Sequence, residues 1–186
     1  MKNILLFLSF ILLTSCGGRD DEPTKETNSS GSFTAKIEGV QKSVKNNGNS
    51  HYVKWKKGKD DRNGSFYQLS VYGADEGFYF DYIIYDENIQ VGKEYIYQHS
   101  SDFANLHYEI KYSETCSGPC ASHWGTSNEF YGTPSGKITF TSFDGKRMSG
   151  TLEAKVNHQY FGMKEDQTRT IAEGKFVNAE KEFGSL

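Results

Sequence analysis

From Phe33 onward, apolar and polar residues alternate with a period of two. Successive side chains of a β-strand point to opposite faces, so this rhythm marks strands that each turn one face to a core. Phe33, Ala35 and Ile37 alternate with Thr34, Lys36 and Glu38. His51, Val53 and Trp55 alternate with Tyr52, Lys54 and Lys56, and Tyr67, Leu69 and Val71 with Gln68 and Ser70. Leu106, Tyr108, Ile110 and Tyr112 alternate with His107, Glu109 and Lys111. The run Phe78–Tyr85 is apolar on both faces except at Asp81, the pattern of a central strand. Lys137–Phe143 is rich in β-formers.

The breaks between these runs are turn signals. Asp144-Gly145 predicts a hairpin of type I′, whose two central residues both need φ > 0. Arg62-Asn63-Gly64 and Gly73–Gly77 predict two more hairpins, and Gly150, Gly162 and Gly174 mark bulges or turns. None of the three prolines falls inside a predicted strand. No segment carries a 3.6-residue apolar stripe, and Ser101–Asn105 is too short for a stable helix. The expected fold is all-β: an antiparallel β-sandwich or flattened meander barrel of about nine or ten strands. It occupies residues 33–186, long enough for one domain with a real core.

The N-terminus is of a different kind. Lys2 precedes the apolar run Ile4–Leu13. A membrane-spanning helix needs about 20 residues, so residues 1–15 read as a signal peptide. Leu13-Thr14-Ser15-Cys16 resembles the lipobox of bacterial lipoproteins. That resemblance implies that Cys16 becomes the first mature residue and carries acyl chains. Two or more such chains anchor a protein stably. Residues 16–32 hold no large apolar side chain and form a tether, which spans roughly 20 Å as a flexible chain. Asp20-Asp21-Glu22 resembles the surface-export signal of Bacteroidota lipoproteins, and position 17 is Gly rather than the Asp of inner-membrane retention. The expected location is the outer membrane at the cell surface, with the lipid anchor as the membrane contact.

The chain has three cysteines. With Cys16 lipidated, Cys116 and Cys120 remain as a pair, and in an exported protein such a pair is expected to be a disulfide. Gly118-Pro119 lets the chain fold back between them. So short a ring adds only about 2 kcal/mol by loop closure. Three residues separate the cysteines rather than the two of thioredoxin-like motifs. A zinc site would enlist His123 as well, but a fourth ligand is not evident nearby.

The net charge is −3 and Lys and Arg are scattered. Lys54-Trp55-Lys56-Lys57 is the single basic cluster and reads as the solvated face of a strand, so nucleic acid is not an expected partner.

Three stretches carry a family resemblance: Phe33–Val40, Gly136–Ala154 with its Phe143-Asp144-Gly145 turn and Ser149-Gly150-Thr151, and Ala172–Phe176. Together they resemble a family of small Bacteroidota lipoproteins of unknown function. The resemblance implies an all-β domain and carries no catalytic residue across, because its motifs are turn and core positions.

No Gly-x-Ser-x-Gly elbow, His-Glu-x-x-His or P-loop is present. Lys59–Gly64 faintly resembles a calcium loop, but Lys59 stands where the first carboxylate belongs, so a plain hairpin is expected. No catalytic residue, metal or cofactor is predicted. The unusual feature is twelve Tyr, thirteen Phe and two Trp. Most serve as strand formers that pack cross-strand, yet Tyr and Trp also suit a sugar ring or a protein partner. Tyr112–Gly125 reads as a polar loop that presents His123 and Trp124, which with Trp55 are the candidate ligand contacts. The expected function is non-catalytic binding of a glycan or small ligand. The alternative is a protein-interaction or envelope-assembly accessory. A hydrolase is a third reading and would need two carboxylates about 5–9.5 Å apart in a cleft.

Overall fold

A computed structural model describes residues 30–48, 50–97, 108–115, 121–126, 131–159 and 167–184. These residues are all-β, with eleven strands. In chain order they are β1 (Ser32–Ile37), β2 (Val40–Lys45), β3 (His51–Asp60), β4 (Gly64–Gly73), β5 (Phe78–Tyr85), β6 (Glu94–Ile96), β7 (Tyr108–Thr115), β8 (Ala121–Gly125), β9 (Ser135–Phe143), β10 (Arg147–His158) and β11 (Thr168–Lys181). The strands beyond the expected nine or ten are short or polar. β2 turns mostly polar residues outward and β6 has three residues, so neither carries a strong alternation.

The strands form two layers. One runs β2-β1-β11-β10-β9-β6 and the other β3-β4-β5-β7-β8. The layers are joined at both corners. The end of β11 leaves β1 and pairs with β3 at Glu180↔Lys54 and Lys181↔Trp55, while the end of β10 pairs with β8 at Asn157↔Gly125 and His158↔Trp124. Hydrogen bonding therefore closes into a ring through β11, β3, β4, β5, β7, β8 and β10. The molecule is a sandwich closed into a flattened barrel, which reconciles the two expected architectures. The β11–β3 pairing is parallel, so closure departs from a pure antiparallel meander.

The core lies between the layers and, among the described residues, is packed largely with aromatic side chains. Phe33 of β1 meets Phe78 and Phe80 of β5, each with ring centroids 6.3 Å apart. Trp55 of β3 packs edge-on to Phe143 of β9 at 5.2 Å. Where β9 crosses the opposite layer, a Cβ on Gly136 would lie 2.6 Å from Ile110 Cδ1. Fully buried side chains such as Trp124, Tyr82, Tyr112 and Phe80 fill the space that a wider barrel would leave for a ligand.

The turns differ from expectation in an instructive way. The two-residue loop with both φ positive is Glu38-Gly39, between Ile37 and its partner Val40. At Asp144-Gly145 only the glycine has φ > 0. There the Asp144 carboxylate accepts the backbone N–H of Lys146 and Arg147 at 2.8 and 2.6 Å, so a side chain shapes a longer loop. Register shifts in the β10–β11 ladder fall beside Gly150 and around the Leu152↔Gly174 pair, as expected for bulge glycines. Gly162 and the Ser101–Asn105 segment lie outside the described residues.

Candidate functional site on the outer face of the five-stranded layer

Because β3, β4 and β5 bury His51, Val53, Trp55, Leu69, Val71, Phe78 and Phe80, the alternate residues must face outward. Register then sets which of them stand side by side. Tyr52 pairs with Tyr72, and Tyr72 with Tyr79. Three phenol rings thus form one row across three strands, with centroids 5.4 and 6.5 Å apart. The same row continues to Ser113 on β7 and His123 on β8. There Ser113 Oγ lies 2.7 Å from His123 Nδ1. All five side chains are half-buried, so each keeps part of its surface in solvent.

The next row along the strands is Lys54, Ser70, Asp81 and Lys111. Asp81 is only 5% exposed although it lies on the outward face. Its carboxylate accepts the Ser70 hydroxyl at 2.6 Å and the Tyr79 hydroxyl at 2.5 Å. Gln68 Nε2 in turn donates to Ser70 Oγ at 3.1 Å. A buried carboxylate needs such donors, and here they hold it in one place beneath the tyrosine row. Burial, and then the Asp81 hydrogen bond and charge, push the Tyr79 hydroxyl far above the ordinary tyrosine range. Burial also raises Tyr52, with smaller contributions from the charges of Asp81 and Glu182. Both phenols therefore stay neutral at physiological pH. The Lys54 ammonium sits 5.0 Å from the centroid of the Tyr52 ring. The face thus offers neutral ring faces with fixed hydrogen-bonding groups beside them, which suits a polar ligand with flat apolar patches.

Of the residues singled out in the sequence, His123 joins this row. Trp124 follows it in β8 and so points the other way, into the core, at 2% exposure. Its indole packs against Tyr112 at 5.6 Å and the His158 ring edge at 5.2 Å, with the Arg169 guanidinium 4.2 Å from its centroid. Trp55 is also buried, stacked on Tyr67, and its Nε1 donates to Lys146 O at 3.2 Å. Neither indole lies on the surface, and both pack the core. The expected long loop Tyr112–Gly125 is a hairpin: Tyr112 pairs with Trp124 and Thr115 with Ala121, leaving residues 116–120 as the connection. Cys16, Cys116 and Cys120 lie outside the described residues.

The residues that sequence reasoning passed over are Tyr52, Tyr72, Tyr79, Ser70 and Asp81. Two signals pointed to them. Tyr52 falls on the polar side of the β3 alternation, and Asp81 is the lone charge in an otherwise apolar strand. The Lys59–Gly64 segment is the plain hairpin expected. Asp60 Oδ1 accepts the N–H of Arg62 and Asn63 at 2.9 and 2.8 Å, and these bonds hold its carboxyl below the usual range. Among the described residues no cluster of three or more His, Cys, Asp or Glu could hold a metal. An open depression of about 500 Å³ lies at the barrel end, beside Tyr112, Glu114 and Arg169.

Comparison with protein-family models, curated proteins and solved structures finds no match to this chain.

Proposed function

We propose that this chain is a lipid-anchored envelope protein whose β-domain binds a glycan, without catalysis, on the outer face of β3, β4, β5, β7 and β8. The observation that supports this reading is the tyrosine row Tyr52–Tyr72–Tyr79 beside the fixed Asp81 carboxylate. Pyranose rings combine an apolar C–H face with a hydroxyl rim. Phenol faces match the former, and the row of Ser113, His123 and the Asp81 network matches the latter. The large aromatic side chains buried between the layers favour the outside of the barrel as the place for such a ligand. The lipobox ending in Cys16 and the tether behind it would present this face outward from an outer membrane.

A glycan array with purified domain and a Tyr72→Ala variant tests the binding. Tyr72 is the middle ring, so its removal should abolish retention while leaving the fold intact. Retention unchanged by Tyr72→Ala, or no glycan bound at all, would refute the reading. The anchor is tested separately: labelled palmitate should enter the wild-type chain and not the Cys16→Ser variant.

A further inference from the structure

We infer that the glycan is a linear polysaccharide running along β4, with a second stacking platform at Phe66 and Tyr85; the inference rests on the reading of the tyrosine row proposed above. The outward side chains of β4 follow one another as Phe66, Gln68, Ser70 and Tyr72, and all four are half-buried. A ring stands at each end of this line, with an amide and a hydroxyl between. Phe66 and Tyr72 are six residues apart in unbroken register with β3 and β5, which is about 20 Å at the rise of a strand.

Phe66 is opposite Tyr85 on β5, with ring centroids 6.0 Å apart, and opposite Gly58 on β3. A Cβ on Gly58 would lie 2.4 Å from Phe66 Cζ, so the phenyl ring reaches across and lies over β3. The φ of Gly58 is not positive, so backbone conformation does not call for glycine there. Glycine inside a strand weakens it and marks a close approach, and here the approaching group is the Phe66 ring. The two platforms thus span the same three strands, Tyr52–Tyr72–Tyr79 at one end and Phe66–Tyr85 above Gly58 at the other. The β4 stretch between them is polar, and Gln68 Nε2 donates to Ser70 Oγ at 3.1 Å. A disaccharide reaches one platform. A linear chain laid along β4 reaches both, with its hydroxyl rim beside Gln68 and Ser70. Once one end is seated, the other platform binds intramolecularly, so affinity grows with chain length until both are covered.

The test is titration of purified protein with oligosaccharide ladders of cellulose, xylan, mannan and chitin, from the disaccharide to the octasaccharide. In at least one ladder, affinity should rise by about threefold to tenfold with length and then level off, the range of one added aromatic contact. Phe66→Ala should abolish that rise while keeping the affinity of the short chains. Gly58→Ala displaces the same ring without removing it, and should flatten the rise in the same way. Circular dichroism verifies the fold of both, and Gly58→Ala decides if Phe66→Ala does not fold. Affinity independent of length overturns the inference and leaves the glycan reading standing. A rise that survives displacement or loss of the Phe66 ring also overturns it. If no ladder binds, the inference falls, and the glycan array decides whether the reading of the row falls with it.

Discussion

Arg169 reaches across the end of the barrel and grips both carboxylate oxygens of Glu114, Nε to Oε1 at 2.8 Å and Nη2 to Oε2 at 3.2 Å. The arginine side chain is 9% exposed and the glutamate 36%. Two parallel bonds between a planar fork and a carboxylate are the strong form of ion pair. The pair ties the start of β11 to β7, across β8 and the end of β10. Arg169→Ala would remove the fork, expose one face of Trp124 and leave Glu114 beside the buried Tyr112 hydroxyl. Breaking a fully buried pair costs about 3–5 kcal/mol. With Glu114 partly solvated, a loss of about 1–3 kcal/mol is expected in denaturant unfolding, and an unchanged midpoint would show that the pair adds nothing.

Gly150 is a steric requirement. A Cβ there would lie 2.2 Å from Thr139 O and 2.6 Å from Phe176 Cζ. The first contact is backbone and cannot move without shifting β9. Gly150→Ala should destabilise by about 1–3 kcal/mol or more, as overpacking does. The equivalent change at the open Gly145 meets no neighbour within 4 Å and is opposed only by its positive φ. Thermal melts of the two variants compare a clash with backbone strain directly.

Tyr79 and Tyr112 both have hydroxyls pushed above the ordinary tyrosine value of 10.0 by burial, then by Asp81 and Glu114 respectively. At pH values above that of free tyrosine, the folded chain holds these protons and the unfolded chain does not. Stability associated with them is fully present below about pH 10. It falls as pH rises from there through the folded-state values. The measurement is unfolding free energy against pH in the alkaline range, with tyrosinate absorbance followed in parallel. Tyr79→Phe should make the alkaline fall shallower, and an identical slope would refute the assignment.

The turn carboxylates act in the opposite sense. Backbone N–H groups hold Asp60 and Asp144 below the usual carboxylate range. The unfolded chain therefore takes up protons first as pH drops. Their stabilisation is present above the unfolded pKa and disappears as pH falls through the folded one. Asp144→Asn keeps an acceptor oxygen but no charge, so it should retain the loop and lose this acid sensitivity. A hydrogen-exchange comparison of the β9–β10 hairpin between neutral pH and pH values below about 4, the unfolded carboxylate value, reads the difference.

Cys116 directly follows Thr115, and Cys120 directly precedes Ala121, the last described pair of the β7–β8 ladder. Protein exported to an oxidising compartment is expected to carry them as a disulfide. Non-reducing peptide mass analysis should find the two cysteines linked, and reduction should cost about 2 kcal/mol or less. Two free thiols in freshly isolated protein would disprove the pairing.

Much of this architecture is legible in the chain. In β3 the alternation separates Val53 and Trp55, which are buried, from Tyr52 and Lys54, which are not, because a strand has only two faces. β5 is apolar on both faces and lies between β4 and β7 in the middle of its layer. The hairpin at Asp60–Gly64 follows from its turn residues. Trp124 was misleading for a local reason. A His-Trp pair in a polar stretch reads as a loop, yet in a strand the two residues must face opposite ways, and burial of a large indole decides which goes inside.

Local chemistry along the chain thus determined that this protein is built of strands, where most of them turn back, and which side of each is apolar. Those properties depend on neighbours one to four residues apart. Only the tertiary structure decided that the sheet closes, through β11 on β3 and β10 on β8, and that Tyr52, Tyr72, Tyr79, Ser113 and His123 share one row. Cross-strand register is set by packing of the whole core, and a shift of one residue would send every one of those side chains to the opposite face.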